Sequence, residues 1–190
     1  MTTPTEHDSE RGFTLVELLI YSLLLLVVLG IVGAMLASTV STSKTVDSVT
    51  SASTAAQIVS ESVVRGVRNA SDFQLTTPTG TDQLLVARTA LGSATISWVC
   101  TAWYYSAAGG GTIRYTTSPT AIPAAPTAAQ LASWQLLDTG VVPATGTGVF
   151  TAAGAQLNLA FNGLAGTRPA VSITSSAFSR AGSTGVPACY

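Results

Sequence analysis

Two hydrophobic periodicities follow one another along this chain. From Phe13 to Ala37 the residues are apolar almost without interruption, FTLVELLIYSLLLLVVLGIVGAMLA, and Glu17 is the one charge among them. A helix needs roughly 20 apolar residues to cross a bilayer, so the run is long enough. Beyond Ala37 the pattern changes without a break signal: Val46, Val49, Ala52, Ala56, Val59, Val63, Val67 and Ala70 recur every three or four residues, with Lys44, Asp47, Gln57, Glu61, Arg65 and Arg68 mostly between them. That spacing predicts one apolar stripe on a helix. Together the patterns predict a single helix from about Thr14 to about Asn69, roughly 80 Å long at 1.5 Å per residue. Its first half would sit in a membrane or a filament core, and its second half would lay the stripe on a sheet. Glu61 and Arg65 have the favourable order for an i,i+4 ion pair.

From Ser71 the helical period is lost and β-branched residues, Gly and Pro take over. Strands are predicted near Gln83–Arg88, Ala94–Tyr105, Thr112–Thr116, Trp134–Leu137, Val149–Ala152, Gln156–Phe161 and Ala170–Ser176. Gly109-Gly110-Gly111 reads as a turn between two of them. Pro119–Ala129 is too proline-rich for a helix or central strand and reads as a surface loop, as does Thr139–Gly148. Trp98, Trp103, Tyr104, Tyr105, Trp134, Phe150 and Phe161 are the expected large core groups. The expected fold class is α+β: one long N-terminal helix packed on an antiparallel sheet. The expected divisions are a leader at 1–12, a membrane or assembly half of the helix at 13–37, an amphipathic half at 38–70 and a β-rich head at 71–190.

A carboxylate inside an apolar run costs about 2.5 to 3.5 kcal/mol by insertion scales, so Glu17 needs a task. An ordinary membrane anchor gives no reason for Glu17 or for a Gly-Phe pair at the hydrophobic boundary. A conventional signal peptide fits poorly, because Met1–Arg11 carries Glu6, Asp8 and Glu10 against one arginine. Gly12-Phe13-Thr14-Leu15-Val16-Glu17 resembles the processing and methylation motif of type IV prepilins and type II secretion pseudopilins. The resemblance implies cleavage after Gly12, N-methylation of the new terminal Phe13, and use of Glu17 in filament assembly. Cleavage there would put an ammonium at the head of an apolar helix. A neighbour's Glu17 meeting that ammonium in low dielectric would offset the burial cost of both charges and set the axial register of subunits. The succession of the long helix, WVCTAWYY, IRY, WQLLDTGV and ITSSAFSR is similar to PilW-type minor pilins and J-type minor pseudopilins.

Charge narrows the partners. Only 9% of residues are charged, and loss of the leader would remove Glu6, Asp8, Glu10 and Arg11 and leave the two signs nearly balanced. No strongly basic face is expected, which argues against nucleic acid. Cys100 and Cys189 are the only cysteines. In an exported domain such a pair reads as a disulfide, with two free buried thiols as the alternative. The single histidine, His7, lies in the expected leader, so no Ser-His-Asp or Cys-His arrangement and no histidine metal site would remain. Asp47, Glu61 and Asp72 read as acids spread along the helix, with Asp82 and Asp138 solitary at loop edges, so no paired carboxylates suggest acid and base roles. No enzyme, metal or cofactor is expected.

The favoured reading is a type IV pilin-like subunit of the minor class, single-pass in the membrane until extraction into a pilus, its head outside the cytoplasm. Its expected partners are other pilin subunits, a prepilin peptidase and methyltransferase, the membrane assembly machinery and, before extraction, the lipid bilayer. A minor pseudopilin of a secretion or DNA-uptake machine is the rival within assembly proteins. A membrane-anchored adhesin or binding module that never polymerises is the rival of another class.

Overall fold

The computed structural model describes residues 14–91, 97–146, 148–180 and 188–190. Helix α1 spans Leu15–Arg68. Thr14 caps it, its hydroxyl oxygen accepting from the backbone N–H of Glu17 at 3.3 Å, and so satisfies one of the orphan donors of the first turn. Arg65 and Arg68 lie in the last turn, where cations favour the helix end. The chain forms two compact units, residues 1–44 and 45–190.

In the first unit α1 is apolar on nearly all sides from Leu15 to Ala37. Its large hydrophobic residues from Leu15 to Val40 are 46% to 80% exposed. Three of its hydroxyls bond back onto the helix itself. Ser22 donates to the Leu19 carbonyl, Thr39 to that of Met35 and Thr42 to that of Ser38, at 2.9, 2.9 and 3.0 Å. Hydroxyls satisfied this way add little polarity to the outer surface.

In the second unit the remainder of α1 meets two antiparallel sheets. The first is a five-stranded meander of β1 (Ala70–Thr76), β2 (Gln83–Leu91), β3 (Ser97–Ser106), β4 (Thr112–Ser118) and β5 (Gln135–Thr139), in that spatial order. A short helix α2 (Ala128–Ser133) precedes β5. The second sheet holds β6 (Val141–Pro143), β7 (Phe150–Ala153), β8 (Gln156–Ala165) and β9 (Arg168–Phe178). Here β8 is central. It pairs with β9 along most of its length, and with β7 and β6 in succession through Gln156–Leu159 and Phe161–Gly163. This layout is α+β, with the long helix packed on antiparallel sheet as the sequence leads one to expect.

The helical stripe is what joins the layers. Ala56, Val59, Val63 and Val67 are 0% exposed and share one cluster with Leu85, Trp103, Tyr105 and Ile113 of the first sheet and Phe150, Leu157, Leu159 and Phe161 of the second. Full burial of a Val, Leu or Phe side chain contributes about 1.5 to 3 kcal/mol, so this cluster dominates the unit's stability. Gly66 makes the helix–sheet approach possible, because a Cβ there would lie 2.1 Å from the Trp103 ring. The indole N–H donates to Ser62 Oγ at 2.9 Å, one helical turn earlier. Between the sheets, Gln83 behaves like a strand neighbour. Its side-chain oxygen accepts from the N–H groups of Val149 and Phe150 at 2.7 and 2.9 Å, and its amide donates to the Phe150 carbonyl at 2.9 Å.

A second cluster covers the other face of the meander. Leu84, Val86, Cys100, Ala102 and Tyr104 pack there with Ile122, Leu131, Trp134 and Cys189. The centre of β2 is thus apolar on consecutive residues, as a strand covered on both faces must be.

Several expectations need correction. Val46 is 57% exposed, so the buried stripe begins further along. Asp72 lies in β1 and not on the helix, and β1 itself falls in a stretch where no strand was expected. The expected loop Pro119–Ala129 runs into α2, whose Thr127 and Gln130 form a capping box. Inside the expected loop Thr139–Gly148 lies β6, short because Pro143 lacks a ladder N–H. Trp98 is only half-buried, since the second cluster does not reach it. Residues 94–96 of the predicted strand Ala94–Tyr105 lie outside the described residues.

Candidate functional site

The helix start carries the sequence-predicted site. Gly12 and Phe13 lie outside the described residues. Glu17 is described, and every other described residue from Thr14 to Lys44 is exposed while Glu17 is half-buried. On its own helix, Tyr21 donates its phenol O–H to Glu17 Oε1 at 3.1 Å. The helix from Leu15 contains a window long and apolar enough to cross a membrane, none of it buried within the protein. An apolar helix of this kind fits a membrane-anchored single-pass protein. Sequence reasoning passed over Tyr21, although the i,i+4 spacing from Glu17 was legible.

The cysteines are brought together. Cys100 in β3 is disulfide-bonded to Cys189 across a separation of 89 residues, with Cα atoms 5.3 Å apart. The open alternative of two free thiols is thereby excluded. The bridge fastens the C-terminal residues over the second cluster, where the Cys189 carbonyl accepts from Ile122 N–H at 3.0 Å. Tyr190 donates to Asp72 Oδ2 at 2.5 Å, and Arg88 stands 3.8 Å from the same oxygen. Asp72, Arg88 and Cys100 are directly opposed on β1, β2 and β3, so one row across the meander holds the tail. Burial, then the hydrogen bond to Asp72, push the Tyr190 phenol upward, against an opposing effect of Arg88.

Asp82 and Asp138 hold local backbone and side chains in place. Asp82 accepts from Tyr104 O–H at 2.9 Å, from Ser106 Oγ and from Ala107 N–H at 2.9 Å, which fixes the turn after β3. Burial and that hydrogen bond push the Tyr104 phenol up to about 12. Asp138 in β5 accepts from Thr139 N–H at 2.7 Å, while its Oδ2 is buried with no hydrogen-bond partner. Desolvation therefore pushes its carboxyl upward, partly offset by the Thr139 bond. Glu61 and Arg65 form the expected exposed ion pair. Beside it a groove of about 560 Å³ runs between α1 and the meander, lined among others by Ile58, Trp103, Tyr115 and Leu137. Among the described residues, no three histidine, cysteine or acidic side chains gather as a metal site would require.

Residues 8–37 match the family model described as the prokaryotic N-terminal methylation motif. That match supports a type IV pilin-like or pseudopilin protein, a structural rather than an enzymatic family, and it implies assembly with other such subunits and handling by a prepilin peptidase. It covers the start of the chain and none of the β-rich unit. No curated protein and no solved structure matches the chain.

Proposed function

We propose that this chain is a type IV pilin-like structural subunit of the minor class, cleaved after Gly12, N-methylated at Phe13 and built into a filament through its apolar helix. The observation that carries this reading is the coincidence of the methylation motif at 8–37 with the stretch of α1 from Leu15 to Val40, whose large apolar residues are exposed and whose one charge is Glu17. In this reading residues 1–12 are the leader, 13–37 the membrane and assembly half of the helix, 38–70 the amphipathic half and 71–190 the head, held outside the cytoplasm. Glu17 of one subunit pairs with the Phe13 ammonium of the next, so that each charge enters the apolar filament interior already neutralised. The order of strand segments similar to PilW-type minor pilins and J-type minor pseudopilins supports the minor class.

Replacement of Gly12 with Val tests the processing step. The expected result is a full-length precursor retained in the membrane, while mass spectrometry of the unmodified protein finds a chain beginning at N-methylated Phe13. A native chain that functions with a start elsewhere contradicts the reading.

A further inference from the structure

Glu17 has two successive situations to survive in the proposed function: alone in lipid before assembly, and beside a neighbour's amino terminus after it. The second is accounted for by pairing, the first is not. On an α-helix the Cα–Cβ bonds tilt toward the N-terminus, so a long side chain at i+4 leans back over position i. Tyr21 stands in that relation to Glu17, and its hydroxyl reaches Oε1 at 3.1 Å. Glu17 is also the one described residue between Thr14 and Lys44 that is not exposed. The residues that follow Tyr21 are a serine, which donates to the Leu19 carbonyl, and then Leu23 to Leu29 without a polar group. The phenol is thus the side-chain donor that the sequence supplies one turn deeper than the carboxylate.

We propose that Tyr21 is a positioning residue for Glu17, donating a hydrogen bond to its carboxylate in the bilayer and holding it in one rotamer until a neighbouring amino terminus arrives. The inference rests on the proposed assembly role of Glu17. An aromatic ring near a helix start has a simpler use as an anchor at the membrane–water interface. That use calls for no bond to Glu17, so the response of the Glu17 carboxyl to Tyr21→Phe separates the two.

The test has a spectroscopic arm and an assembly arm. With Glu6, Glu10 and Glu61 replaced by Gln, Glu17 is the only glutamate in the full-length chain. Isotope labelling of glutamate then isolates its carboxyl infrared band in vesicles of phosphatidylethanolamine and phosphatidylglycerol. Tyr21→Phe is expected to shift that band toward the non-hydrogen-bonded position, and to lower incorporation into filaments in cells by about threefold, the size of an average hydrogen bond within membranes. A band unmoved by Tyr21→Phe overturns the proposal, as does a shifted band with unaltered incorporation. Absence of filament incorporation by the unsubstituted chain would instead remove the proposed function, and the band shift would still report whether Tyr21 holds Glu17.

Discussion

The two stretches of α1 are built from similar residues and treated in opposite ways. From Thr45 onward, Ala56, Val59, Val63 and Val67 are fully buried against strands of their own chain. From Leu15 to Val40, larger leucines, valines and isoleucines are all at least 46% exposed. Hydrophobicity alone therefore does not decide what is buried; the supply of a partner does. Monomeric soluble proteins rarely expose so continuous an apolar surface, and one that large marks a site for membrane or protein contact. The second stretch finds its partner in cis, and the first requires one from outside.

The largest effect in the self-sufficient unit is expected at the disulfide. Replacing Cys100 and Cys189 with Ser should destabilise it by roughly 4 to 5 kcal/mol, the chain-entropy value for a loop of this order, measured by denaturant unfolding. Loss of the Ile122 and Tyr190 contacts should follow and appear as faster hydrogen exchange at Ile122. Membrane insertion of the first unit should be unchanged, which a carbonate-extraction assay would show.

Glycine substitutions sharpen the contrast. At Gly66 a Cβ would sit 2.1 Å from Trp103, whereas at Gly33 nothing lies within 4 Å. Gly66→Ala should cost about 1 to 3 kcal/mol of unfolding stability by overpacking. Gly33→Ala should leave that stability unchanged and favour the helix by about 1 kcal/mol in propensity. A fall in filament incorporation of Gly33→Ala would then report packing against a neighbouring subunit, with no contribution from folding.

A smaller effect is expected at Asp138, which is buried with Oδ2 unpartnered. Its carboxyl is raised above the ordinary value of 3.8 by desolvation. The folded state therefore binds the proton more tightly than the unfolded chain, and stability falls as pH rises from the unfolded value through the folded one. Asp138→Asn should raise the Tm at neutral pH by about 2 °C, with the gain shrinking as the pH is lowered to 3. An equal gain at both pH values would contradict a cost from buried charge.

The parts legible in the sequence were those with strong local signals. The helix announced itself through an unbroken apolar run and a 3.6-residue period, and β3 through WVCTAWYY. What stayed hidden depended on distant partners. The three residues of β6 form a strand because β8 offers them a ladder, and α2 was masked by prolines although its Thr127-to-Gln130 spacing carried a cap signal. The row Asp72–Arg88–Cys100, with Tyr190 reaching it from 118 residues away, has no local signature at all. At the candidate site, Gly12, Phe13 and Glu17 stood out because a processing motif is read as a linear string. Tyr21 did not, because an aromatic residue in an apolar run is ordinarily just another apolar residue.

Cysteine crosslinking along the first stretch of α1 tests most directly whether its partner is another copy or another subunit of the same kind. Single cysteines placed from Leu18 to Val32 in cells should give helix-to-helix crosslinked ladders with neighbouring subunits, and Glu17→Ala in the same chains should abolish them while leaving processing intact. Membrane-embedded chains that never crosslink, or ladders undiminished without Glu17, would contradict the account.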